Sequence, residues 1–90
     1  MPESNRLVTL AGVGLAATGI AHFAVPDAFR GITEAAFPDD TETALKINGG
    51  LETAIGAAIA VPQTRKIGFV GLGLYGAYLA VNLVKVRSGN

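Results

Sequence analysis

The sequence predicts an all-α fold: a transmembrane helical bundle of three spanning helices plus a short interfacial helix. Three observations carry this expectation. Apolar runs of 19, 18 and 18 residues, Leu7 to Val25, Ala44 to Val61 and Ile67 to Val84, occupy most of a 90-residue chain. A hydrocarbon core about 30 Å thick needs about 20 helical residues to cross it, so each run is near spanning length. The runs are separated by Pro26, Pro38 and Pro62, which end helices by removing an amide donor and restricting the preceding residue. Most of the twelve glycines fall inside the runs, several four residues ahead of an alanine.

The first span is expected over about residues 6–25, capped by Ser4 or Asn5 and stopped before Pro26. Its polar residues are Thr9, Thr18 and His22, too few for the wetted stripe of a soluble helix. Glu3 offsets Arg6 ahead of a run longer than a typical signal-peptide core, so this helix reads as retained. Between Asp27 and Phe37, the apolar residues Phe29, Ile32 and Ala36 recur opposite Arg30 and Glu34. This fits either an interfacial helix or an ordered loop with buried phenylalanines.

The second span is expected over about residues 41–61. Asp39 and Glu42 have the spacing of a capping box, and Glu42 precedes Lys46 in the favourable i, i+4 order. Gln63 to Lys66 is a tight polar turn into the third span, about 66–86, whose C-terminal end carries Lys85 and Arg87. The pairs Gly12 and Ala16, Gly56 and Ala60, Gly73 and Ala77, and Gly76 and Ala80 allow close helix packing in lipid, within the chain or against other subunits.

Composition narrows function by exclusion. Seven basic residues balance seven acidic ones, so nothing favours nucleic acid. The sequence has no cysteine, which removes disulfides, thiolate metal sites and covalent haem attachment. With 50% hydrophobic residues and a mean hydropathy of +0.44, the expected setting is the cell (inner) membrane, multi-pass. Basic residues are nearly tied between the two sides. The compact Arg65 and Lys66 pair, against a carboxylate-rich Pro26 to Glu42 loop, places the N-terminus inside.

Glu52 stands out because it lies near the middle of its run, where an ionisable group must face protein or water. A functional carboxyl and a structural one that bonds a neighbouring helix both satisfy that requirement. Antiparallel threading brings His22, Asn48 and Asn82 to one depth, with Glu52 and Tyr78 about a turn deeper, while Asn48 and Glu52 share a face. The candidate polar pocket is therefore His22, Asn48, Glu52, Tyr78 and Asn82. The single histidine disfavours a bis-histidine haem within one chain, and His22 with Glu52 alone is a poor metal donor set.

Gly19-Ile-Ala-His22-Phe23, then Pro26 and Phe29, Phe37-Pro38, Asn48-Gly-Gly-Leu-Glu52, Pro62-Gln-Thr-Arg65 and Asn82 together resemble the small DoxX-like membrane proteins. The resemblance spans about Gly19 to Asn82. It implies a compact membrane bundle, usually of four helices, with the His-Phe-x-x-Pro end of the first helix near the Gly-x-x-Glu face of the second. Some relatives of that kind are associated with quinone-linked sulfur oxidation or oxidative-stress complexes. This sequence departs from that pattern in offering three spans, so the expectation is that either the fourth helix is missing or a partner or a second copy fills its place.

Two functions follow as expectations. The first is a non-catalytic accessory subunit that packs its small-residue faces on a larger membrane complex or on itself. The second is a redox-linked protein that holds a quinone or lipid head group among the polar residues. No other cofactor is expected. A proton pathway through Glu52 is weaker, because three helices are too few to enclose a pore.

Overall fold

The computed structural model describes residues 3–89. Four α-helices follow one another: α1 (Glu3–Ala24), α2 (Asp27–Ala36), α3 (Thr41–Ala60) and α4 (Arg65–Arg87), with a 3₁₀ turn at Pro62–Thr64 leading into α4. The three long helices match the expected segments within a few residues. Helix α1 already includes Glu3, so Ser4 and Asn5 lie inside it rather than ahead of it. The segment after Pro26 is a true helix, which decides against the loop reading.

The body measures 47 × 26 × 17 Å. Its thinnest dimension is less than two helix diameters of about 10 Å each, so the long helices lie largely in a layer. Helix α3 is the middle member and packs against both α1 and α4, while α2 folds back onto α3 and α4. Burial follows this order. Ala44, Leu45, Asn48, Gly49, Ile55, Gly56 and Ile59 of α3 are all buried, whereas α4 buries only Gly68 and Tyr75. The apolar centre is Ile55, Ile59 and Tyr75, flanked by Val8, Leu15, Tyr78 and Leu79.

The α1–α3 interface is built on glycine. A Cβ added to Gly12 would sit 2.6 Å from the Ala60 amide nitrogen, and one on Gly56 would sit 2.8 Å from the Ala16 Cα. The two expected small-residue pairs on these helices therefore pack on each other. By contrast, Gly73 and Gly76 of α4 face open space.

Two helices, Asn5–Ala24 and Pro62–Arg87, are long and apolar enough to cross a membrane. Only 17% and 11% of their most apolar windows is buried, unlike a soluble core helix. Leu7, Val70 and Leu74 are each more than 60% exposed. Helix α3 is not among them, so two of the three expected spans have the length and apolarity to cross. Glu42, Lys46, Asn48 and Glu52 dilute its apolarity.

Local polar contacts depart from expectation at the start of α3. The N-cap position is Asp40, without a side-chain capping bond, so Asp39 and Glu42 form no capping box. Glu42 turns instead to Arg30 of α2, which also pairs with Asp27 at 3.1 Å, and the Glu42–Lys46 pair is not made. At the other end of α3, polar groups are thoroughly engaged. Thr64 Oγ1 donates to the Ala58 carbonyl at 2.8 Å, and Arg65 Nε donates to the Ile59 carbonyl at 2.7 Å. Arg65 Nη2 reaches the Ala60 carbonyl at 3.3 Å and Thr9 Oγ1 of α1 at 2.8 Å. One guanidinium thus satisfies helix-end carbonyls that have no partner within the helix and ties three helices together.

Candidate functional site

Close backbone approach at Gly19 and Gly49 positions the first half of the site. A Cβ on Gly49 would meet His22 Cβ at 2.6 Å, and one on Gly19 would collide with the Thr53 backbone. With both positions bare, the last turn of α1 settles against α3, and His22 is held beside the face that carries Asn48 and Glu52. Those two residues share that face because they are four apart. Thr18 and Thr53 do not add free hydroxyls, since each donates to the carbonyl four residues back, at 2.8 and 2.7 Å.

The second half comes from α4 and α2. Tyr75 is buried, and its hydroxyl donates to Glu52 Oε2 at 2.5 Å. His22 Nε2 lies 3.8 Å from the same oxygen. His22 Nδ1 is 2.8 Å from the Thr18 carbonyl, which only accepts, so Nδ1 carries a hydrogen and neutral imidazole turns its Nε2 lone pair toward Glu52. An attractive contact between the two then needs a proton on one of them. Phe29 of α2 covers the imidazole in a stacked arrangement, centroids 4.0 Å apart.

These groups form one end of a cavity of about 480 Å³, within the usual range for small-molecule sites. Thr33, Phe29 and Ile32 of α2 and Leu79 and Leu83 of α4 supply much of the wall, and Arg87 borders it. Asn48 lines the cavity at 4% exposure, and its Oδ1 is fully buried without a hydrogen-bond partner. Both close contacts of Glu52 use Oε2, and Oε1 takes part in neither. The site thus sets the polar groups of His22, Asn48, Glu52 and Tyr75 beside apolar side chains of α2 and α4, with Thr33 and Arg87 as further polar members of its lining.

Of the five residues singled out from the sequence, His22, Asn48 and Glu52 come together here. Tyr78 and Asn82 do not line the cavity. The Tyr78 ring packs on Phe37 at 5.4 Å and on Tyr75 at 6.2 Å. Asn82 donates to the Tyr78 carbonyl at 2.8 Å and borders a separate hollow with Asp39, Asp40 and Lys85. Tyr75 takes the place assigned to Tyr78. Counted from the α3–α4 turn, Glu52 is eight residues before Ala60 and Tyr75 ten after Arg65, and that tally finds the correct tyrosine. The contribution of α2 through Phe29 and Thr33 had no signal in spacing alone.

Among the described residues there is no group of three His, Cys, Asp or Glu side chains that would hold a metal ion. No curated protein and no solved structure matches the chain. A family model does match, over residues 10–90, which takes in every side chain of the cavity. The chain belongs to that family, described as a domain of unknown function (DUF8561).

Proposed function

We propose that this chain is a small multi-pass protein of the cell (inner) membrane whose cavity binds a membrane-soluble amphiphile. The observation that carries the reading is the Tyr75–Glu52–His22 cluster, set beside an unpartnered Asn48 in an apolar cavity of about 480 Å³. Polar groups buried only to join helices finish with their hydrogen bonds made. Here the amide nearest the cavity does not, while apolar walls offer room for a tail. The chain crosses the membrane three times in this proposal, with the N-terminus inside. Helix α3 crosses between α1 and α4, which screen its polar residues from lipid, and the exposed apolar surface of the outer two meets acyl chains. A quinone or a lipid head group is a suitable class of occupant, in keeping with the resemblance to DoxX-like proteins.

A second reading, the accessory subunit, has its own support. Gly73 and Gly76 of α4 face open space, and Ala77 and Ala80 beside them are exposed. A small-residue face of this kind suits close packing on another membrane helix, from a larger complex or a second copy.

One isolation tests both. The tagged protein is purified in mild detergent and analysed by native mass spectrometry for co-purifying protein and by extraction for lipid-soluble small molecules. A reproducible small molecule, lost from Glu52→Gln, supports the cavity reading. An extract no different from empty detergent micelles counts against it. A clean monomer without a partner protein counts against the subunit reading.

A further inference from the structure

The cavity is polar at both ends and apolar between, and this layout limits what it can hold once it is taken as a ligand site, the reading on which all that follows rests. One wall runs along α4 through Tyr75, Leu79, Leu83 and Arg87, spaced four residues apart and so on one helix face. Twelve residues at about 1.5 Å each separate the first of these from the last by about 18 Å of helix. At the inner end Tyr75 meets Glu52, and Asn48 is buried with its oxygen unpartnered. Thr33 is buried on the same lining, and among the described residues its hydroxyl makes no hydrogen bond.

At the outer end stands Arg87, the last residue of α4 and of the apolar segment that ends with it. A guanidinium keeps its charge at every accessible pH. Arg30 is engaged by carboxylates and Arg65 by helix-end carbonyls, whereas no group among the described residues bonds Arg87. Glu52 is the one acid on the lining and lies at the opposite end, against Tyr75. Asp39, Asp40 and Lys85 belong to the adjoining hollow, which shares only Ala36 and Phe37 with the cavity. The mouth therefore carries a fixed positive charge, whatever the protonation of His22 and Glu52 within.

We infer that the occupant is a chain amphiphile with an anionic head at Arg87 and an uncharged oxygen function at the inner end, within reach of Asn48. A cationic head would meet Arg87 on the way in, and a second charge at mid-membrane depth would be costly. The Asn48 amide both donates and accepts, so a hydroxyl and a carbonyl serve alike there. Side chains of a helix lean toward its N-terminus, which turns Arg87 back along the cavity and leaves about 12 to 18 Å between the two polar ends. An extended chain advances about 1.2 Å per bond, which puts the oxygen about ten to fourteen carbons from the head. Leu79 and Leu83 line the stretch between. A carboxylate and a phosphate monoester share the chemistry required of the head, since each presents paired oxygens to a guanidinium.

The test uses the full-length protein in phosphatidylcholine nanodiscs and measures displacement of a fatty acid with a fluorescent polyene chain. The competitors are stearate, stearate bearing a hydroxyl or a ketone at carbon twelve, the methyl ester of the hydroxy acid, and the matching phosphate monoester and amine. The hydroxy and keto acids should each bind about tenfold more tightly than stearate and than the methyl ester. The carboxylate and phosphate arms, compared with each other, separate the two sources of the anion. In Arg87→Gln, acid and ester should converge while thermal unfolding stays unchanged, and in Asn48→Leu the oxygenated acids should fall to the level of stearate. An ester or amine that binds the native protein as tightly as the acid overturns the head assignment. Stearate binding as tightly as its oxygenated forms overturns the inner one, and in both cases the ligand site still stands. If neither the fluorescent acid nor, by native mass spectrometry, any competitor is retained, the ligand-site reading itself fails.

Discussion

The two ends of α3 treat polar groups in opposite ways. At its C-terminal end, the Thr64 hydroxyl and the Arg65 guanidinium take up the carbonyls of Ala58, Ile59 and Ala60, and Arg65 reaches on to Thr9. Toward the middle and N-terminal half, Asn48 is as buried as the core yet keeps an oxygen without a partner, and Glu52 uses a single oxygen for both its close contacts. A chain under selection for packing alone would complete its bonds at both ends. The contrast marks one end as a staple and the other as a receptacle.

The most forceful way to break the comparison is to remove what holds both ends on a common frame, the glycine contacts between α1 and α3. Gly56→Val would drive its side chain into the Ala16 backbone, already 2.8 Å from a bare Cβ, and backbone cannot step aside as a flexible side chain can. Loss of about 3 kcal/mol or more is expected, read as a large drop in thermal stability in detergent. Gly73→Val meets open space and should leave the monomer intact. If the two variants unfold alike, the glycine frame is not what orders the bundle.

Next in size is the staple. Arg65→Ala abandons two carbonyls of the α3 end and the Thr9 hydroxyl. About 2 to 3 kcal/mol of stability should go with them, with little change in ligand preference at the far end. Arg65→Lys should recover only part of this, because an ammonium lacks the planar fork that reaches two helices at once. The receptacle answers more weakly. Tyr75→Phe removes the 2.5 Å bond to Glu52, with an expected cost of about 1 kcal/mol in thermal unfolding. Tyr78→Phe, whose ring packs on Phe37 and Tyr75, should lie close to zero.

Much of this was legible from residue order. Run length and proline placement located all three long helices, because both act through the backbone and need no partner. The Asn48–Glu52 face followed from helical spacing, and His22 from its position one turn before Pro26. Tyr75 shares a face of α4 with Tyr78, but depth counted from the C-terminal end of that helix favoured Tyr78, and three residues of helix shift a side chain by about 4.5 Å. The capping box failed for a different reason. Glu42 has a tertiary partner in Arg30, and local spacing carries no trace of such competition. Run length alone did not separate α3 from the two more apolar helices, because its polar residues are accommodated by a central position between them.

The smallest expected effect is also the sharpest probe, since it compares two asparagines one structural role apart. Asn82 donates to the Tyr78 carbonyl one turn back in its own helix, so Asn82→Ala gives up a local bond. A loss of about 0.5 kcal/mol is expected, with ligand binding unchanged. Asn48 has no such bond at its oxygen, and replacing it with Leu removes a buried acceptor already lacking a partner. A polar atom left unpaired costs stability, so Asn48→Leu should be neutral or slightly stabilising in ligand-free detergent. Affinity for the amphiphile of the proposed site should nevertheless fall about tenfold. Stability and binding then move apart at one position and stay together at the other. If Asn48→Leu instead destabilises the free protein as a satisfied amide would, its oxygen has a structural partner after all, and the two ends of α3 are alike.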